Sequence, residues 1–144
     1  MNNRYISKGK RKDNGEWVEG VDIFADNKAF ILNNAKVEII KGFNENRLNF
    51  VLVEVIPETV GQCTGLKDKK GKVIFEGDVV QTKKYGKVIG HSNVNYYDAF
   101  RITYVPAVFR LENIYRSFNL VGNSADFEII GNIHDNPELP EVER

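Results

Sequence analysis

Apolar and polar residues alternate over short stretches along most of this chain, which is the period expected of β-strands. The clearest run is Asn49 to Ile56, which reads Asn-Phe-Val-Leu-Val-Glu-Val-Ile and is rich in branched and aromatic side chains. Both of its faces are nearly apolar, so the pattern predicts a strand in the centre of a sheet. Pro57 ends the run because proline has no N–H group to donate to a strand ladder.

Turn residues divide the first third of the chain. The turn signals are Asp13-Asn14-Gly15, Asp26-Asn27 and Asn33-Asn34. They bound a strand at 17–24, which Gly20 should interrupt, and a partner strand at 29–32. Residues 1–12 are predicted to form an arm that leads into the first strand, and residues 36–41 a further strand.

Turn-forming residues are most concentrated in the stretch from Pro57 to Val80. Asp68-Lys69-Lys70-Gly71 carries Asp at the first turn position and Gly at the fourth, as a type I turn favours. Residues 72–75 then read as a short strand, which Glu76-Gly77-Asp78 breaks. The segment 61–65, with a glycine at each end, should bend as well.

One stretch near the C-terminus, from Pro106 to Phe118, is the one helix candidate, and the sequence leaves both helix and strand open there. Its apolar residues recur three and four positions apart, and a proline suits the first turn of a helix. Residues 127–130 read as a closing strand beyond it.

These elements predict a mostly β fold, a small barrel of strongly bent sheet with additional N-terminal strands and at most one or two short helices. A chain of 144 residues forms a single domain by default, here residues 1–144. Within it, residues 57–139 would form the barrel core and residues 140–144 a frayed tail. Residues 1–56 would supply the N-terminal strands and a region for self-association. If the strand at 49–56 were left at an edge it would pair with another copy, so a homo-oligomer is expected.

Charge is balanced overall but uneven along the chain. With 20 basic and 20 acidic residues, the net charge of zero argues against a dedicated nucleic-acid coat or membrane-surface protein. Lysines nevertheless crowd two turns, and the candidate nucleic-acid contacts are Lys67, Lys69, Lys70, Lys72, Lys83, Lys84 and Lys87. The aromatic residues that would offer stacking platforms beside them are Trp17, Tyr96, Tyr97, Tyr104 and Tyr115. The other interpretation is that the lysines are solvated turns and the aromatics fill the core.

The cytosol is the compartment that the composition favours. A single cysteine excludes an intramolecular disulfide framework. The first dozen residues are polar and basic without an apolar run, so no signal peptide is expected. No apolar run is long enough to span a bilayer, and no membrane partner is predicted.

The sequence does not have the residue spacings of the catalytic and metal-binding motifs that were compared with it. Five residues separate Gly65 from Gly71, where a phosphate loop has four between its glycines. Cys63 has no histidine placed locally as a base, and a lone cysteine is more often a small buried hydrophobe. The two distant histidines and the single cysteine lack the spacing of a zinc site.

Glu76 and Asp78 would point to the same side of an extended backbone, as a carboxylate pair does. A turn in which Asp78 accepts hydrogen bonds from free backbone donors is the favoured interpretation. The sequence therefore predicts no catalytic residue, no cofactor and no metal ligand.

Three segments resemble the motifs of a known family. They are Lys8-Gly9-Lys10 followed by Asp13-Asn14-Gly15-Glu16-Trp17-Val18-Glu19-Gly20, the stretch from Thr64 to Val80 with Gly65, Asp68, Gly71, Gly77 and Asp78, and the segment Phe127 to Leu139 with Gly131 and Asn132. Together they are similar to the signatures of the YopX family of phage and prophage proteins of Gram-positive bacteria. Cys63 stands where an aromatic or aliphatic residue is usual, and His134-Asp135 where Tyr-Glu is usual. The resemblance implies a mostly β fold built on a barrel, a phage origin and no established enzyme activity.

The expected function is that of a non-enzymatic phage or prophage accessory protein, which acts through protein contacts in the host cytoplasm. Its partners would be a second copy and a host or phage protein. The alternative is a nucleic-acid-binding module that uses the lysine-rich turns at 67–72 and 83–87.

Overall fold

The regular secondary structure of this protein is almost entirely β. A computed structural model describes residues 6–40, 45–82, 98–105, 108–112, 117–120 and 123–138. In these ranges the only helical elements are two 3-10 turns, Pro57–Thr59 and Ser124–Asp126. The prediction of a mostly β fold with at most one or two short helices is confirmed. No helix of the described ranges is long and apolar enough to cross a membrane.

The strands are numbered in chain order. They are β1 (Ser7–Lys10), β2 (Trp17–Ala25), β3 (Lys28–Ile40), β4 (Glu45–Val55), β5 (Gly61–Lys67), β6 (Val73–Phe75), β7 (Asp78–Thr82), β8 (Asp98–Val105), β9 (Val108–Glu112), β10 (Ser117–Asn119) and β11 (Glu128–Asn132).

The chain divides into two compact units, Met1–Gln62 and Cys63–Arg144, here called unit 1 and unit 2. The boundary falls inside β5. This division does not test the predicted single domain, which stays a prediction.

Unit 1 is an antiparallel sheet with the strand order β4-β3-β2-β1, and the first two residues of β5 pair with the other side of β1. Asp26 and Asn27 join β2 to β3 with φ angles of 50° and 62°. Two successive positive φ angles are the mark of the two-residue turn whose twist matches a hairpin, and Asn and Asp tolerate that conformation. The turn predicted at 26–27 is therefore confirmed.

The core of unit 1 lies on one face of this sheet. Ile31 pairs with Asp22 on one side and with Val53 on the other, which places all three positions on the same face. The buried apolar residues of that face are Val18, Ala29, Ile31, Val53 and Val55, against which Val60 packs.

Two features of the N-terminal region differ from their predictions. Strand β1 lies within residues 1–12, which were expected to form an arm, because Ser7 to Lys10 find a partner in β2. Strand β2 runs through Gly20 without interruption. A side-chain carbon at Gly20 would lie 2.1 Å from the carbonyl oxygen of Leu32, so the glycine allows the neighbouring strand to approach.

The predicted turn at Asn33-Asn34 is wrong. Strand β3 continues through these residues, and the pairing of Asn33 with Val51 shifts to that of Lys36 with Asn49. Three steps along β3 thus match two steps along β4, which is a β-bulge. A bulge uses the same turn-prone residues as a chain reversal but keeps the strand in its ladder.

The prediction that 49–56 forms a central strand is also wrong, because β4 is the edge strand of unit 1. Among the described residues, its outer side is paired only at the C-terminal end of the strand. The N–H of Lys12 donates to the carbonyl of Glu54, and the N–H of Ile56 donates to the carbonyl of Lys10. A single antiparallel bridge between Arg11 and Val55 lies between these bonds.

Unit 2 contains a five-stranded antiparallel sheet with the order β10-β9-β8-β7-β11, and a short ladder between β5 and β6. The buried core cluster of this unit is Ile74, Val80, Phe100, Ile102, Leu111, Leu120 and Phe127. The rings of Phe100 and Phe127 meet edge to face with their centres 6.0 Å apart. The five-stranded sheet ends at β10 and β11, so the described residues of unit 2 show an open sheet rather than a closed barrel.

The helix predicted at 106–118 is wrong. Residues 108–112 and 117–119 are strands, and residues 106–107 and 113–116 lie outside the described ranges. Leu111 pairs with Ile102 of β8 and is fully buried. Partners on two neighbouring strands outweigh a helical spacing that rests on only four apolar residues.

Candidate functional site

The charged turn at 68–71 is organised around the carboxylate of Asp68. One oxygen accepts hydrogen bonds from the N–H groups of Lys70 (3.0 Å) and Lys72 (2.9 Å), and the other from Ile129 of β11 (3.0 Å). The turn is closed by the N–H of Gly71, which donates to the carbonyl of Asp68, and Gly71 has a φ of +81°. Asp68 therefore joins its own turn to a strand 61 residues away.

These contacts shift the pKa of the Asp68 carboxyl group. Burial raises the pKa of this carboxyl group, but the hydrogen bonds from Ile129, Lys72 and Lys70 outweigh it and hold the pKa below the ordinary value. A carboxylate that remains ionised and fully engaged with backbone donors is suited to structure rather than to proton transfer.

Half of the lysines of the first basic turn are paired. Lys69 and Lys70 both form ion pairs with Glu128 at the start of β11. Hydrogen bonding to Glu128 raises the pKa of Lys70, and hydrogen bonding to Lys70 lowers the pKa of Glu128. Lys67 and Lys72 are exposed, and Lys83, Lys84 and Lys87 lie outside the described residues.

Glu76-Gly77-Asp78 forms a turn between β6 and β7. Asp78 is 2% exposed and accepts a hydrogen bond from the N–H of Phe75 at 2.8 Å. Gly77 has a φ of +91°, donates its N–H to the carbonyl of Ile102 and accepts from Ile133. The turn thus links two other segments of unit 2, and its carboxylate caps backbone as the sequence suggested.

The C-terminal motif makes a similar turn after β11. The side-chain oxygen of Asn132 accepts hydrogen bonds from the N–H groups of His134 and Asp135, and its amide group donates to the Asp135 carboxylate. Gly131 follows a register shift in the pairing of β11 with β7. These contacts end the strand and turn the chain.

Cys63 is 3% exposed and its Sγ accepts a hydrogen bond from the N–H of Gly65. It sits in the ladder between β5 and β6, opposite Phe75. Within the described ranges, no group of three or more His, Cys, Asp or Glu residues is arranged to hold a metal ion.

The described aromatic candidates, Trp17 and Tyr104, belong to different units. The ammonium of Lys8 lies 5.0 Å from the ring centre of Trp17 in unit 1. Tyr104 in unit 2 is 45% exposed and packs against Phe109. Tyr96, Tyr97 and Tyr115 lie outside the described residues.

Exposed apolar residues lie together on the outer face of unit 1. The register aligns Val21, Leu32 and Leu52 across β2, β3 and β4, with Ile23 and Phe30 in the adjacent row. Val21 is 48%, Leu52 46% and Ile23 38% exposed. We call these five residues the apolar sheet face. Contiguous exposed apolar residues on a folded surface mark a site for a protein partner more often than isolated ones do.

The open edge of β4 adjoins this face. Glu54 and Ile56 bond outward to Lys12 and Lys10, and alternate residues of an antiparallel strand direct their N–H and C=O groups to the same edge. The backbone groups of Leu52 therefore also point outward, beyond the last bond to Lys12. A groove of about 420 Å³ lies here, lined by Arg11, Lys12, Asp13 and residues 51–54.

Sequence reasoning did not identify the apolar sheet face. The apolar residues at 21, 23, 30 and 32 were visible, but only the register shows that they share the outer side. The sequence feature that could have indicated this face is the presence of apolar residues on both sides of the strand at 49–56. In the structure one of these sides is buried and the other is exposed.

Comparisons with known proteins are consistent with this fold. The model of the family described as "YopX protein" matches residues 9–141. The crystal structure of protein EF1440 from Enterococcus faecalis superposes with a TM-score of 0.59 and 22% sequence identity, over 92% of this chain and 95% of that one. No curated protein matches the chain. The similarity to EF1440 concerns the fold alone, whereas the family match spans nearly the whole chain, and this protein belongs to the YopX family.

Proposed function

We propose that this protein is a non-enzymatic phage or prophage accessory protein that acts through protein–protein contacts in the cytoplasm of a bacterial host. The observation that carries the proposal is the apolar sheet face of unit 1. The partner is a host or phage protein with an apolar surface of its own, because apolar side chains predominate on that face, where Glu54 of the edge strand β4 lies beside Phe30.

The signature residues support a non-enzymatic role. The carboxylates of Asp68 and Asp78 accept backbone hydrogen bonds within unit 2, and both are almost fully buried. A general acid or base must reach a substrate atom. The residues that carry the family motif are thus used to build turns.

The apolar sheet face would be costly to expose without a use. Burying apolar area stabilises a contact by about 25 cal/mol per Å². Large apolar side chains on three adjacent strands lie side by side on this face, and the half-buried Phe30 and Leu32 lie between those of β2 and β4.

The test is affinity capture from host lysate with tagged wild-type protein and with the double variant Val21→Lys/Ile23→Lys. We expect the wild type to retain a defined protein that the variant loses, because each lysine places a charge in the contact. Both positions are exposed, so the fold should be kept, which circular dichroism would check.

Glu58→Lys is the matched control, since it is exposed, lies in unit 1 and also raises the net charge by about two. Retention of the same protein by all three chains would contradict the proposal, because binding would then not depend on the apolar sheet face.

The nucleic-acid alternative stays a prediction. Among the lysines of the first turn, Lys69 and Lys70 are held by Glu128, which reduces the positive charge available to phosphate groups. The described residues therefore favour the protein-contact proposal.

A further inference from the structure

We propose that Asn14 is a site of spontaneous deamidation, and that opening of the turn at 11–16 controls the reaction. This turn joins β1 to β2 and contains the adjacent pair Asn14-Gly15. The inference goes beyond the proposed function and does not depend on it.

The reaction begins at the side-chain amide of Asn14. The backbone nitrogen of Gly15 loses its proton to solvent and bonds to Cγ of Asn14, which forms a cyclic imide. The side-chain nitrogen takes up a proton and leaves as ammonia. Water then opens the imide. Addition of water at Cγ gives aspartate, whereas addition at the main-chain carbonyl carbon gives isoaspartate, in which the chain continues through the former side chain.

The pair Asn14-Gly15 favours this attack by its chemistry. Glycine has no Cβ to hinder the approach of its own nitrogen to the preceding side chain. No other asparagine of the sequence is followed by glycine. Asn14 is also exposed, so water reaches its amide group. The φ angle of Gly15 is +73°, so the conformation of the turn and the reactivity of the pair depend on the same glycine.

Hydrogen bonds hold the turn closed. The N–H of Gly15 donates to the carbonyl of Arg11 at 3.0 Å, and the N–H of Arg11 donates to the carbonyl of Glu16 at 2.8 Å. The N–H of Glu16 donates to Oδ1 of Asn14 at 2.9 Å, as in an Asx turn. The guanidinium group of Arg11 also donates two hydrogen bonds, of 2.9 and 2.8 Å, to the carboxylate of Asp13.

The closed turn opposes the attack. The nitrogen of Gly15 becomes a nucleophile only when it loses its proton, and in the closed turn that proton is donated to Arg11. A deprotonated nitrogen would face the lone pairs of the Arg11 carbonyl oxygen. The bond from Glu16 draws electrons from Cγ of Asn14, but this activation has no effect while the nucleophile is engaged. The reaction therefore proceeds through the fraction of molecules in which the turn is open.

The isoaspartate product prevents the turn from closing as before. It inserts one additional carbon into the main chain between Arg11 and Glu16, so the hydrogen bonds of the closed turn no longer span the same number of atoms. The aspartate product keeps an oxygen that accepts from Glu16. Modified protein thus accumulates with each opening of the turn.

Peptide mass spectrometry of the purified full chain tests the proposal, with fragmentation to assign the modified residue. The protein is incubated at mildly alkaline pH with and without guanidinium chloride. In the denaturant we expect faster conversion of Asn14 than of Asn123, which precedes a serine. In the folded protein the conversion of Asn14 should be at least about tenfold slower than in the denaturant, because the turn is mostly closed.

Arg11→Ala tests the role of the turn. It removes the hydrogen bonds to Asp13 but keeps the backbone groups, so Asn14 should be converted about two to five times faster in the folded protein, and at an unchanged rate in the denaturant. Lys28→Ala is the matched control, because it also removes an exposed cation from unit 1 but lies beside the turn between β2 and β3. Circular dichroism checks that both variants fold.

Three results would overturn the inference. Equal rates at Asn14 in folded and denatured protein would show that the fold does not control the reaction. A rate at Asn14 no faster than at Asn123 in the denaturant would show that the pair is not a preferred site. Equal rates for folded Arg11→Ala and Lys28→Ala would show that the reaction does not depend on opening of this turn.

Discussion

At the scale of single residues, the residues of the family signature stabilise turns. Asp68 satisfies three backbone N–H groups, one of them in a distant strand. Charged residues that crowd around glycines resemble a binding loop in sequence. In the folded chain the carboxylate of Asp68 accepts hydrogen bonds from the backbone, because a tight turn leaves donors that no ladder partner reaches. Lys69 and Lys70 form ion pairs with Glu128 instead.

Replacement of Asp68 by Asn should lower the stability of the protein. The amide group keeps one acceptor oxygen but brings N–H donors towards a backbone donor, so we expect a loss of about 1–3 kcal/mol. Urea unfolding measures it, with Glu138→Gln as the control because that carboxylate is exposed. Equal stability of Asp68→Asn and the wild type would contradict the role of Asp68.

The loss of stability caused by Asp68→Asn should also depend on pH. The folded pKa of Asp68 lies below the ordinary value of 3.8, so the folded state favours the ionised form. The contribution of Asp68 is complete above that value and is lost as the pH falls through the folded pKa. The stability difference between the wild type and Asp68→Asn should thus be constant near neutral pH and shrink in acid, which unfolding curves across this range would show. A difference that persists unchanged in strong acid would contradict this.

At the scale of strands, close backbone approach decides where glycine is needed. Gly20 lies inside β2, where a glycine would ordinarily weaken a strand. Its hydrogen atoms face the carbonyl oxygen of Leu32 and the side chain of Ile31 in β3. The pairing of β2 with β3 therefore depends on the absence of a side chain.

Gly20→Ala should destabilise unit 1 more than an ordinary surface change. The added carbon would lie 2.1 Å from a backbone oxygen, so the strands must separate, at a cost of about 2 kcal/mol or more. Thermal unfolding measures the effect, and Glu19→Ala on the same strand, where the side chain is exposed, is the control. If Gly20→Ala were as stable as Glu19→Ala, β3 would have to move away from β2 without any loss of stability, which would contradict this prediction.

At the scale of the whole molecule, we propose a protein rather than a nucleic acid as the partner because the charge is balanced and the apolar sheet face is exposed. The chain has 20 basic and 20 acidic residues. Two lysines of the turn at 68–71, Lys69 and Lys70, form ion pairs with Glu128, which neutralises part of the positive charge of that turn. Phosphate contacts require unpaired cations, and the energy of such contacts falls steeply with salt.

We therefore expect no binding of fluorescent DNA or RNA, even at low salt where phosphate contacts are strongest. Fluorescence anisotropy over a salt titration measures it. Binding that weakens with salt would support the alternative function instead. Charge reversal at Lys83, Lys84 and Lys87 would then abolish it if these turns are the site.

The sequence by itself determined the local features of this protein. Strand content, the hairpin turn at Asp26-Asn27 and the turn at Asp68 to Gly71 follow from side-chain chemistry within a few residues, and the structure shows all three. The family motif was also evident from sequence, because it is made of such turns.

Only the tertiary structure decided which faces and edges are exposed. A period of two shows that residues alternate sides, but not which side another element covers. The edge position of β4, the bulge after Asn33 and the strand at 108–112 all depend on partners distant in sequence. The apolar sheet face arises in the same way, since Val21, Leu32 and Leu52 become one surface only when three strands align.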